Sequence, residues 1–178
     1  MARRVTGSVA EPTSASPGPD ELRVLVLTVS TRAASGEYED RSGPAIVDAL
    51  RLWGVTDASV TIVPDDEQRV VSALRDAVAS GVDAVLTTGG TGLAPDDRTP
   101  EATRQVIERD LPGVSEAIRA AGIEAGVPTA SLSRGIAGTC EGTVVVNLPG
   151  SVGGARDGVA VVGPLLMHIR DQLAGGDH

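Results

Sequence analysis

The sequence predicts a three-layer α/β sandwich, a largely parallel sheet flanked by helices on both faces. Three observations predict it. Short aliphatic runs alternate along the chain with segments whose apolar residues recur at helical spacing, the pattern of βαβ units. The runs lack the polar alternation of half-exposed strands, as expected for parallel strands buried on both faces. Polar and glycine-rich clusters fall just after the runs, at what would be strand carboxyl ends, where open α/β sheets bind their ligands. At 178 residues the chain suits one domain with a full core.

Residues 1–20, MARRVTGSVAEPTSASPGPD, have no periodic apolar pattern and several Pro and Gly breaks, the composition of a disordered tail. Residues 21–178 are expected to form a single domain. Its first strand is LRVLVLTVS at 22–30. Asp40-Arg41-Ser42-Gly43-Pro44 is a turn with Pro at a helix start, and Ile46, Val47, Leu50 and Leu52 continue at helical spacing. A second strand covers 60–63, and Val70, Val71, Leu74 and Val78 mark the next helix, with Asp65 or Asp66 as its N-cap. Gly81 ends that helix and residues 82–88 form the third strand. Pro100 and Glu101 open another helix with Thr99 as N-cap, and a further helix fits 114–125. Residues 130–132 and 144–148 read as strands, and 159–173 as a helix broken or restarted at Pro164.

Composition excludes several classes. The chain carries a net charge of −9 and only 1% aromatic residues, so it has neither the basic surface nor the stacking platforms of a nucleic-acid binder. The same charge disfavours an anionic membrane surface. It contains no Lys, which removes Schiff-base chemistry and a Walker-type phosphate lysine. The single cysteine, Cys140, reads as a small apolar filler, and no Cys/His cluster suits a metal. With no apolar run of 18 residues and no signal-peptide core, a cytoplasmic location is expected.

The densest chemistry is TTGGTGLAPDDRTPEAT, residues 87–103. Gly89, Gly90 and Gly92 allow positive φ, so backbone N–H groups can point outward, and Thr87, Thr88 and Thr91 add hydroxyl donors: a cradle for a phosphate. Asp96 and Asp97 follow closely enough to hold a hard cation such as Mg²⁺ against that phosphate. A tight strand-to-helix turn would account for the glycines alone. Four polar strand ends on one mouth would not be needed for that: Thr28 to Thr31, Asp65 with Asp66, the glycine turn, and Pro149-Gly150-Ser151.

Five segments, TVSTRAASGEYEDRSGP (28–44), VPDDEQ (63–68), TTGGTGLAPDDRTPEAT (87–103), LSRGIAG (132–138) and NLPGS (147–151), resemble in order and spacing the MogA/MoaB family of molybdenum-cofactor biosynthesis proteins. The likeness spans about residues 22–173. It implies a molybdopterin-binding domain, usually a homotrimer, whose active members transfer AMP from Mg·ATP to the terminal phosphate of molybdopterin with release of pyrophosphate. It assigns the catalytic acids to Asp65 and Asp97; neutralising converging phosphates calls for Mg²⁺ on Asp97, with Asp65 holding the same cation or orienting a phosphate through it. It places Gly89, Gly90, Thr91 and Gly92 against phosphates, and Thr28, Ser30, Ser133, Pro149, Gly150 and Ser151 around the pocket. Thr88 and the Thr99-Pro100-Glu101 helix start join them as substrate-binding positions. Partners implied are molybdopterin, ATP and other molybdenum-cofactor biosynthesis proteins.

The chain departs from the family pattern twice. Asp96 stands where the R-D-x-T-P block has Arg, and Val152-Gly153-Gly154-Ala155 replaces a continuation with Pro and a basic residue. A MoaB-type member that binds a pterin without adenylylating it is the alternative these departures leave open.

Overall fold

The computed structural model describes residues 21–176; the tail expected at 1–20 and the last two residues lie outside that range. Six strands form one sheet in the order β2-β1-β3-β6-β5-β4. Strands β1 (Arg23–Val29), β2 (Asp57–Val63), β3 (Ala84–Thr88) and β6 (Thr143–Leu148) are parallel. Strands β5 (Ala137–Cys140) and β4 (Arg109–Asp110) complete the sheet antiparallel, which makes it mixed.

Alternation along the strands builds a core on each face. Val24 and Val26 of β1, Leu86 of β3 and Val144, Val146 and Leu148 of β6 pack with α2 (Ser42–Arg51), α5 (Pro112–Glu124) and α6 (Val152–Leu173). Leu27, Val29, Val85 and Val145 point to the other face, against α3 (Glu67–Ala79) and α4 (Thr99–Arg104). Each fully buried Leu or Val contributes about 1.5–3 kcal/mol relative to exposure. These two faces are the outer layers of the expected sandwich.

Several expected elements change. Residues 130–132 are not a strand but the end of a five-residue 3-10 helix, Pro128–Leu132, whose opening proline lacks the N–H a strand would donate and sets a helix-compatible φ. The missing strand is β5, whose partner β4 is two residues long. Helix α6 starts at Val152, where the Ser151 hydroxyl accepts the Gly154 amide at 3.1 Å. It runs through Pro164 unbroken, since Pro164 and Ala160, whose carbonyl loses its partner, both lie on the exposed side. A short helix α1 (Thr31–Ala34) follows β1. Of the two expected caps for α3, Asp66 takes the role, accepting the Arg69 amide at 2.9 Å. Thr99 is not an N-cap; α4 begins on it, after Arg98. Leu52 falls past the end of α2 and is 84% exposed.

Pairing register places the site. Thr28 pairs with Thr88, Thr88 with Leu148, and Val29 with Val63, so all four parallel strands end at one level. The chain leaves β1 toward β2 on one side and returns as β3 on the other, which makes the gap beyond β1 and β3 a topological switch point.

Candidate functional site

The turn after β3 takes the left-handed backbone the glycines permit. Gly89 has φ +102 and Gly90 φ +64. A Cβ at Gly89 would run into the Val29 carbonyl, and one at Gly90 into the Thr99 hydroxyl. Gly92 differs from expectation: its φ is not in the left-handed range, and a side chain is excluded instead by the Asp97 carboxylate, 2.6 Å from where its Cβ would lie. The turn after β6 sits directly against this one, with Gly150 facing the Gly89 backbone. The Thr88 hydroxyl donates to the Pro149 carbonyl at 2.8 Å and fastens the two together.

The loops after β1 and β2 are locked reciprocally. Asp65 Oδ2 accepts the Thr31 amide at 2.7 Å, and the Asp65 amide donates to Thr31 Oγ1 at 3.0 Å. Ser30 caps α1 by accepting the Ala33 amide at 3.2 Å. Asp97 Oδ2 accepts the Ala94 amide at 2.9 Å, closing its own loop. Each acid thus has one oxygen on a backbone N–H. Glu67 connects the two acid-bearing loops: its Oε2 accepts Arg98 Nε at 2.9 Å and lies 2.9 Å from Arg98 Nη2, and its Oε1 accepts Gln105 at 2.6 Å.

Two cavities open at this end of the sheet. One, of about 310 Å³, is lined by Thr28, Ser30, Thr88, Gly89, Gly150 and Ser151 together with Arg32, Tyr38, Asp40 and Arg41. The other, of about 450 Å³, is mostly apolar, with Leu93, Ile118, Val127 and Leu132, and takes in Thr91, Gly92, Ser133, Pro149 and Ser151. Ser151 lines both. Ten of the expected site residues, Thr28, Ser30, Thr88, Gly89, Thr91, Gly92, Ser133, Pro149, Gly150 and Ser151, therefore gather on two sides of one double turn. Asp65, Asp97, Gly90, Thr99, Pro100 and Glu101 line neither cavity.

Glu101 faces an arginine. Arg134 Nη1 is paired with Glu101 Oε1, and that contact, with Arg98 adding a weaker attraction, holds the Glu101 carboxyl below the usual range for glutamate despite its partial burial. Among the described residues Glu101 Oε2 and the buried Thr99 Oγ1 find no hydrogen-bond partner, which marks polar capacity left open beside the glycine turn.

Two contributors escaped the sequence reading. Asp40 accepts the Thr28 hydroxyl at 2.8 Å, the Gly43 amide at 3.0 Å and the Ser42 hydroxyl at 3.2 Å, so it fixes both a pocket hydroxyl and the start of α2. An acid just before Ser-Gly-Pro at a helix start is the signal that marks it. Asn147 is buried, donating to Thr87 Oγ1 at 3.0 Å and Thr103 Oγ1 at 2.9 Å and accepting the Ile136 amide at 3.1 Å. It fastens α4 to the sheet beneath the turn.

Oxygen donors and amides dominate the site, and among the described residues neither acid belongs to a group of three metal-ligating side chains. Asp65 and Asp97 each keep one carboxylate oxygen without a hydrogen bond from the described residues, which suits Mg²⁺, an ion that keeps waters and phosphate oxygens in its shell instead of filling a protein cage. Among the described residues no helix is long and apolar enough to cross a membrane.

The family described as "Probable molybdopterin binding domain" matches residues 25–168. A molybdenum cofactor biosynthesis bifunctional protein of Synechococcus elongatus is 43% identical over 153 residues, 86% of this chain and 48% of that protein, so the chain spans about half that relative's length. A molybdopterin adenylyltransferase of Pyrococcus furiosus is 37% identical over 85% of this chain and 90% of its own. Among solved structures, the molybdopterin biosynthesis Mog protein of Mycobacterium ulcerans superposes with a TM-score of 0.80 at 43% identity, over 87% of this chain and 98% of that one. The tungsten cofactor synthesizing protein MoaB of Pyrococcus furiosus gives 0.78 at 36% identity, over 87% and 98%.

Proposed function

The chain belongs to the MogA/MoaB family of molybdopterin-binding, molybdenum-cofactor biosynthesis proteins, and from that premise we propose that it transfers AMP from Mg·ATP to the terminal phosphate of molybdopterin. An oxygen of that phosphate attacks the α-phosphorus of ATP. The new P–O–P bond forms as the α–β bridging bond breaks, and pyrophosphate leaves.

The observation that carries this reading is the pair of cavities meeting at Ser151 against the Gly89-Gly90 turn. A two-substrate transfer needs two seats with the reacting groups at their junction. The larger, apolar cavity suits a fused ring system, and the smaller one, with Arg32 and Arg41, suits a polyphosphate. Amides of the glycine turn are preorganised donors for the non-bridging oxygens, each worth about 3 kcal/mol in the transition state when such donors are removed elsewhere. A phosphate nucleophile is already ionised at neutral pH, so a site without Lys or a nearby His suffices.

Asp65 and Asp97 would hold Mg²⁺, which supplies charge neutralisation between the converging phosphates. Their Oδ2 bonds to Thr31 and Ala94 fix each carboxylate's direction, and the Glu67–Arg98 pair keeps the two loops in fixed relation. The reading takes the protein as cytoplasmic and a homotrimer, working with other molybdenum-cofactor biosynthesis proteins and with neither nucleic acid nor membrane. Its net charge of −9 and the exposed Leu52, Trp53, Leu165 and Met167 support the absent polyanion partner and a covered apolar face respectively.

A second reading, a MoaB-type pterin binder without turnover, is favoured by exposed Asp96 in the position of the family's Arg. Assay of AMP transfer by wild type, Asp65→Asn and Asp97→Asn separates the two. Turnover that falls at least about 100-fold in both variants supports the enzyme, and full turnover in both removes the acids from the mechanism. Saturable pterin binding with no wild-type turnover selects the binder.

A further inference from the structure

The Arg134 side chain is 34% exposed and lines neither cavity of the candidate site; its guanidinium is spent on the loop that carries Asp97. Nε donates to the Gly92 carbonyl at 2.8 Å and Nη2 to the Asp97 carbonyl at 2.5 Å, while Nη1 pairs with Glu101. Its own amide donates to the Thr91 carbonyl at 3.0 Å. Four contacts from one residue therefore grip both ends of the segment 91–97 and the first turn of α4. Between those grips the segment has little of its own: the Asp97–Ala94 bonds are local, and Leu93, Ala94, Pro95 and Asp96 are exposed.

We infer that Arg134 is the positioning residue of this site, acting through the Gly92 and Asp97 carbonyls to hold the glycine turn and the Asp97 carboxylate in the arrangement that receives phosphate. The inference rests on the proposed transfer for its kinetic consequence, and on geometry alone for the clamp. A planar fork reaching two carbonyls and a carboxylate at once is a task for guanidinium; an ammonium on a lysine stem offers a single point of contact. It also gives Glu101 a different role from the substrate contact expected of it. Glu101 is the counter-ion that orients the fork, and a carboxylate in that place would repel a phosphate.

The chain offers Arg98 as the contrasting case. It lies on the same loop but turns away, to Glu67, so the segment's interior contacts come from Arg134 on the far side of the sequence.

The test uses the full chain and compares Arg134→Lys and Arg134→Ala with wild type and with Arg51→Ala, an exposed helix arginine paired to Asp48. Two readouts are taken. In AMP transfer, Arg134→Lys is expected to lower kcat by about 10–100-fold, as misplacement by an ångström does, with KM for ATP within about threefold, and free guanidinium is expected to restore part of the Arg134→Ala rate. In amide hydrogen exchange, which needs no turnover, protection is expected to fall in residues 91–99 of both variants and to stay unchanged in α3 and α6. A KM effect without a kcat effect overturns the inference, because it makes Arg134 a substrate contact. Unchanged exchange at 91–99 overturns it whether or not wild type turns over, and a uniform loss of protection across the chain overturns it in favour of a general structural role. If wild type shows no transfer, the proposed reaction fails, while selective exchange at 91–99 still supports the clamp.

Discussion

Replacing Gly89 by alanine puts two costs on one residue. Its φ of +102 lies where an L-residue is strained, by about 1–2 kcal/mol. The added Cβ also meets the Val29 carbonyl, backbone at the end of a buried strand that cannot swing aside, and overpacking of that kind costs about 1–3 kcal/mol. Together these give about 3 kcal/mol or more, a fall in Tm of roughly 6–12 °C for a chain of this size. Gly36 supplies the control. Its φ is +78, but a Cβ there meets none of the described residues within 4 Å, so Gly36→Ala carries the backbone cost alone, about 1 kcal/mol or roughly 2–4 °C. Both variants are followed by calorimetric or circular-dichroism melting. The close approach of the β3 turn to β1 is the reason for the difference. Equal losses in the two variants would refute it, and with it the placement of the cradle at the switch point.

Asn147→Ala strands the Ile136 amide and the Thr87 and Thr103 hydroxyls in the core and is expected to cost about 3 kcal/mol in urea unfolding; a loss under about 1 kcal/mol would show that water replaces the amide. Glu101 has a folded-state pKa lowered by Arg134, so its contribution to stability is present above the unfolded value and is lost as pH falls through the folded one. Wild type is therefore expected to lose stability below about pH 4.5 more steeply than Glu101→Gln, read from melting temperature against pH, and parallel curves contradict the ion pair. The Cys140 thiol is pushed up by burial and then by Glu108 and Glu141, so alkylation by iodoacetamide in native protein is expected to be slow at pH 8 and to speed up only above the ordinary thiol range; rapid labelling at pH 8 contradicts it. Sedimentation at micromolar concentration is expected to give a trimer, and a monomer contradicts the covered apolar face.

Much of this architecture is written in local pattern. The strand LRVLVLTVS, the helix carried by Val70, Val71, Leu74 and Val78, and the glycine turn between β3 and α4 are each set by neighbours in sequence, and the structure has them there. Convergence of four strand ends also follows from alternation, because parallel strands joined by helices must end on one side. The losses share a cause. Strand β4 is two residues and β5 reads AGTC, too short and too glycine-rich for periodicity; both exist because of their cross-strand partners. Pro164 predicts a break that its exposed position makes unnecessary. The two-cavity division was invisible, since it depends on how Gly150 meets Gly89 in space. Arg134 and Asn147 reach the β3 strand, its turn and α4 over sequence separations of 33 to 60 residues, beyond any local signal, although both lie in segments whose family resemblance marks them as part of the site.

The proposed transfer brings two substrates together at the Gly89-Gly90 turn to exchange a nucleotidyl group. Pyrophosphate release measured on purified wild-type protein mixed with molybdopterin, ATP and Mg²⁺ tests it most directly. One pyrophosphate is expected per molybdopterin adenylylated, and none when either substrate is omitted. Tight pterin binding with no pyrophosphate above the ATP-only control would contradict it.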